Sequence, residues 1–84
     1  MTENSEGYYL TLPHYDALFK LKAQFLFFLA MLSHNQSKQQ SASQLYKECL
    51  MLSPSHPGAL LNYARIRIAS GDFKTAYVCL RSLE

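Results

Sequence analysis

The side chains able to do acid–base, nucleophilic or metal chemistry in this sequence are three histidines, two cysteines and six carboxylates. His14, His34 and His56 are far apart, and none has a second ligand at the helical spacing a metal site needs. Ser53 and Ser55 lie in a proline-rich turn with no base near them. Asp16 and the glutamates do not pair on one face, as acid–base catalysis would require. Asp72 follows a glycine and reads as a helix N-cap. Cys49 and Cys79 sit inside apolar helical patterns, where a free cysteine behaves as a small hydrophobe, and that usage suits a reducing compartment. These residues predict no catalytic site, no metal and no cofactor, and therefore no enzyme. What remains is recognition, carried by surface rather than by a reaction centre.

Composition bounds that recognition. A chain of 84 residues forms one small domain, and a domain of that size buries only roughly 60–65% of the surface its unfolded form exposes. Charged residues are 17% of the chain, against roughly 25% in ordinary soluble domains. Low charge on so small a chain leaves apolar surface that its own core does not cover, which points to a protein partner. The net charge of +2 is too weak for nucleic acid. Lys20 and Lys22 are local, Lys38, Lys47, Lys74 and Arg81 are dispersed, and no basic stripe forms. The apolar run from Phe25 to Leu32 is eight residues long, whereas a membrane span needs about 20. It predicts a buried helix and no span. Residues Met1 to Gly7 are polar and acidic, unlike a signal peptide, so the expected location is the cytoplasm.

The elements that must position any binding surface are helices. Residues 1–12 read as a flexible or extended segment in which Tyr8-Tyr9-Leu10-Thr11-Leu12 could pack as an extended strip. Pro13 suits a first helical turn, where a missing N–H costs nothing. No breaker occurs until about Ser33, and the three-to-four spacing of Tyr15, Leu18, Phe19, Leu26, Phe27 and Ala30 predicts one long helix, or two meeting near Lys22. His34 to Gln40 is loop-like. Ala42, Leu45, Tyr46, Cys49 and Leu52 make a second helix, ended by Ser53-Pro54, since proline biases the residue before it away from helix. A third helix runs from about Pro57 to Ser70, Gly71-Asp72 closes it, and a fourth completes the chain. No strand-like alternation appears. The fold class is all-α, with residues 13–84 as a single domain.

The chain also repeats at a spacing of about 34 residues. Leu26 falls on Leu60, Ala30 on Ala64, Leu32 on Ile66, Ala42 on Ala76, Tyr46 on Leu80 and Cys49 on Leu83. This pattern resembles the tetratricopeptide repeat, most fully over Ala59 to Ala64 and Gly71 to Ala76. The resemblance implies two helix–turn–helix units, about 23–56 and 57–84, with the preceding residues as an N-terminal helical extension or cap. It implies close helix contact at Ala64 and Ala76, a turn at Gly71, and a hairpin core of Leu60, Tyr63 and Leu80. Ser37 stands where the first unit should have glycine, predicting a longer or distorted turn.

In such repeats the first helix of each unit lines a concave groove. The matching positions here are Gln24, Phe27, Met31 and His34 in the first unit and Leu61, Arg65 and Ile68 in the second. Each set forms one stripe, mostly apolar with Arg65 as its one definite charge, suited to an amphipathic helix. The same stripe could instead be core against the N-terminal segment. Repeats that clamp the carboxylate of heat-shock chaperones carry Lys and Asn where Phe27 and Met31 stand, so that specialisation is not expected, although Asn62 matches one clamp position. In its short length the chain looks like the small type III secretion chaperones that hold the needle subunit. That likeness implies a partner that is a small helical subunit, with a co-chaperone beside it. The alternative is a self-associating adaptor or scaffold, a homodimer in its simplest form.

Overall fold

The computed structural model describes residues 14–84, with side chains from residue 17 onward. The expected extended segment, with Tyr8 to Leu12 and Pro13, lies outside the described residues. Four helices succeed one another: α1 (His14–Asn35), α2 (Gln39–Leu52), α3 (Pro57–Ala69) and α4 (Phe73–Ser82). No strand occurs among the described residues, so the fold is all-α. α1 packs along α2 and α3 along α4 as two hairpins, and α2 joins them by packing on α3. α1 is continuous through Lys22 and runs to Asn35, so it carries the extension and the first unit's leading helix in one piece.

Both hairpin turns are built alike. In the second, Gly71 holds φ 85°, its N–H donates to the carbonyl of Ile68 (3.0 Å), and the Asp72 N–H donates to that of Arg67 (2.8 Å). This pair of bonds satisfies carbonyls that the helix end would otherwise leave open. In the first, Ser37 holds φ 62°, with matching bonds from Ser37 to His34 (3.0 Å) and from Lys38 to Ser33 (2.9 Å). The first turn is therefore neither longer nor distorted. Serine accepts the left-handed backbone instead, because the same two carbonyls reward it. The helices after the two turns differ more. The Asp72 carboxylate accepts the N–H of Thr75 and caps α4, while Lys38 offers α2 no side-chain cap. Arg67 links the elements, donating to Asp72 (3.2 Å) and to the Ser43 hydroxyl (3.4 Å).

The core has two clusters. Ala23 and Ala30 of α1, Ala42, Tyr46 and Cys49 of α2, and Ala59 and Ile66 of α3 make the first. Leu60, Ala64, Ala76 and Cys79 make the second, and Leu50 and Tyr63 touch both. Alanines at the facing positions let the backbones approach closely, which leaves the larger side chains to fill the space between hairpins. Leu80 does not fill the hairpin core as expected. It is 40% exposed, like Leu83, whereas Tyr46 and Cys49 one period earlier are fully buried. The difference lies in the covering helix: α3 covers α2, and among the described residues no later helix covers α4. Leu32 is likewise exposed although its counterpart Ile66 is buried.

The continuity of α1 also changes the membrane expectation. Ala17–Asn35 is a 19-residue window of mean hydropathy 1.2, long and apolar enough by length and composition to cross a membrane. The eight-residue run understated it, because Lys20 and Lys22 occupy one end of the window rather than bounding it. Ala23 and Ala30 are nevertheless fully buried in the cluster shared with α2, and α2 carries Gln44, Lys47 and Glu48.

Candidate functional site

α1 and α3 are the first helices of their hairpins, and they meet where Phe27 faces Gly58. A Cβ at Gly58 would lie 2.6 Å from Phe27 Cζ, so glycine is what lets the ring seat against the start of α3. The Phe27 ring is held by Tyr46 (centroids 6.0 Å apart) and His56 (4.7 Å). His56 is the N-cap of α3: its Nδ1 accepts the Ala59 N–H at 3.1 Å. That role leaves the ring proton on Nε2, which donates to Gln24 Oε1 at 3.0 Å. Gln24 and Phe27 thus lie at the joint between the hairpins.

From that joint α1 and α3 run on side by side. A pocket of about 220 Å³ opens between them, lined by Met31, His34 and Asn35 of α1, Tyr46 of α2, and Asn62 and Arg65 of α3. Its floor is fixed by a hydrogen bond from Asn62 Nδ2 to the Tyr46 hydroxyl (3.1 Å). Burial pushes the Tyr46 phenol up from its usual value, against the opposing pull of the Asn62 bond, and the neighbouring Cys49 adds to the rise. Arg65 makes no ion pair among the described residues, and no carboxylate lines the pocket. Leu61 and Ile68 are 40% and 45% exposed on α3, and Met31 is 37% exposed. The arrangement offers an apolar rim, one cation and a pair of amide side chains.

Of the seven groove positions read from the sequence, Met31, His34 and Arg65 converge on the pocket. Gln24 and Phe27 lie at the joint, and Leu61 and Ile68 lie on the surface of α3 outside the pocket lining. Sequence reasoning missed Tyr46, Asn35 and His56 as parts of this region. Asn62 was legible, one helical turn before Arg65. Tyr46 was readable as core, but nothing in the pattern marked its hydroxyl as reaching α3.

No group of three metal-ligating side chains occurs among the described residues. Cys49 and Cys79 are free and buried. Burial pushes both thiols up, and the Asp72 charge adds to the rise at Cys79, which keeps them protonated and unreactive.

Residues 36–84 match the family model of the tetratricopeptide repeat. The match takes in α2, α3 and α4, and α1 precedes it. The chain is also similar to the probable biofilm formation methyltransferase WspC of Pseudomonas putida, 37% identical over 54 residues. That stretch is 64% of this chain but 13% of the relative, so the chain corresponds to a small part of that protein. No solved structure matches the chain.

Proposed function

This chain belongs to the tetratricopeptide repeat family, a family of protein-binding modules, and on that premise we propose that it holds an amphipathic helix of a partner protein between α1 and α3. The observation that carries this reading is the convergence of Met31, His34 and Arg65 from both hairpins on one pocket. Arg65 is a cation without an ionic partner there, and exposed Met31, Leu61 and Ile68 supply apolar contacts around it. A helix laid in such a groove would place apolar anchors three and four residues apart and one carboxylate on Arg65. Met31 can adapt to the anchor it meets.

The finer reading is a cytoplasmic chaperone or co-chaperone that sequesters a small helical subunit, of the kind that holds a type III secretion needle subunit. Low charge and the exposed apolar Met31, Leu61 and Ile68 beside the pocket support it. The test is affinity purification of the tagged chain from its native cell, with mass spectrometry of what elutes, set beside Leu61→Asp and Arg65→Glu. One small helical protein recovered at near-equal amounts, and lost from both variants, is the expected result. Recovery that both variants leave intact would place binding elsewhere. Recovery of a large assembly would retire the chaperone reading and leave the binding module.

A further inference from the structure

Leu18, Leu21, Phe25, Phe28 and Leu32 recur along α1 at alternating steps of three and four. Each is more than half exposed: 52%, 68%, 62%, 56% and 54% in that order. At about 100° per residue they form one stripe on the side of α1 opposite Ala23 and Ala30, which are buried against α2. This stripe lies before the residues that match the repeat family. We propose that it is a self-pairing surface, on which α1 of a second copy lies antiparallel with Phe25 near the two-fold axis.

Three features favour a second copy. The spacing is that of a coiled-coil seam, in which side chains of one helix enter the gaps of another. All five seam residues are leucine or phenylalanine, so the seam itself carries no charge. The area is also sufficient. With a large apolar side chain taken as roughly 200 Å², the exposed fractions leave roughly 600 Å² on each copy. Two copies together then bury about 1,200 Å², the lower bound of a stable interface.

Charge sets the direction. Between Ala17 and Asn35 the formal charges are Lys20 and Lys22, with no carboxylate. Parallel pairing would bring Lys22 beside its own copy. Antiparallel pairing about Phe25 sets each Lys22 toward the other copy's Phe28 and separates the two lysines by about 9 Å along the axis, where salt at a Debye length of about 8 Å screens them. The repeat itself shows that this face takes a neighbour. Ala59 and Ile66, one period on from Phe25 and Leu32, are buried in the cluster they share with α1 and α2. Met31 lies about 100° round the helix from the seam, so pairing leaves the pocket with Arg65 open.

The test is sedimentation velocity of the full chain across the micromolar range, with Leu21→Asp/Phe28→Asp and with Leu61→Asp/Arg65→Glu. The expected result is a dimer that the first pair reduces to a monomer with unchanged helical circular dichroism, and that the groove pair leaves intact. The groove reading can therefore fail without this one, and the reverse. Disulfide trapping gives a second readout with little background, since the native cysteines are buried. Leu18→Cys mixed with Leu32→Cys should cross-link, and Leu18→Cys alone should not. A monomer at every concentration would overturn the proposal, whether residues 1–13, another protein or a lipid surface covers the stripe. A dimer indifferent to Leu21 and Phe28, or cross-linking of Leu18→Cys with itself, would overturn it equally.

Discussion

Ser37 carries the backbone conformation that Gly71 carries one period later, φ 62° against 85°. For a residue with a side chain the left-handed region costs roughly 1–2 kcal/mol, and here two carbonyl-satisfying hydrogen bonds offset that cost. Ser37→Gly removes the strain, at the expense of a more flexible unfolded chain. The variant should gain about 0.5–1 kcal/mol net, read as a higher urea midpoint at unchanged slope. Asp72 gives a prediction in pH. The side chain and N–H of Thr75, then the Arg67 guanidinium, hold its carboxyl below the usual range. A carboxyl lowered on folding stabilises above its unfolded pKa of about 3.9 and loses that contribution as pH falls through the folded value. Stability should therefore decline more steeply on acidification below about pH 4 in the parent chain than in Asp72→Asn. Superimposable acid-unfolding profiles would show that the cap contributes nothing through charge.

At the scale of the helix, the joint between α1 and α3 rests on the missing Cβ of Gly58. Alanine is the better helix former by about 1 kcal/mol, so propensity alone predicts that Gly58→Ala stabilises. The Phe27 ring 2.6 Å from the new carbon decides otherwise, because Tyr46 and His56 hold it in place. Gly58→Ala should lose about 1–2 kcal/mol through overpacking, and adding Phe27→Leu should recover part of it, a coupling that a double-mutant cycle on thermal unfolding would measure. This joint also marks the limit of what was legible in the sequence. The helices and the Asp72 cap came from spacing and turn chemistry, which act over a few residues, the period came from the repeat itself, and the pairing of Ala64 with Ala76 came from the resemblance to the repeat family. The burial of Tyr46 against the exposure of Leu80 did not, since the two share a register position and differ only in whether another helix covers them. The reach of His56 from its cap position to Gln24, and of the Tyr46 hydroxyl to Asn62, likewise depends on how two hairpins sit together. Helical spacing placed Met31, His34 and Arg65 on their faces, and the distance between those faces came only from the fold.

At the scale of the whole molecule the question is which part folds as a unit. The family match begins at residue 36, which would suggest that α2, α3 and α4 form the domain and α1 is an attachment. The packing contradicts that division. Ala42, Tyr46 and Cys49 of α2, all fully buried, share their cluster with Ala23 and Ala30 of α1, and Phe27 holds the start of α3. Removing α1 would uncover the Tyr46 ring, a loss comparable to the roughly 3–5 kcal/mol of deleting a large core side chain. Total stability for a domain of this size is only about 5–10 kcal/mol. The fragment 36–84, although it contains the whole matched stretch, should show no cooperative thermal transition and little amide protection, while residues 14–84 retain both. If the fragment did melt cooperatively, the Tyr46 cluster would not be the centre of the fold, and α1 would be a docking arm rather than part of the core.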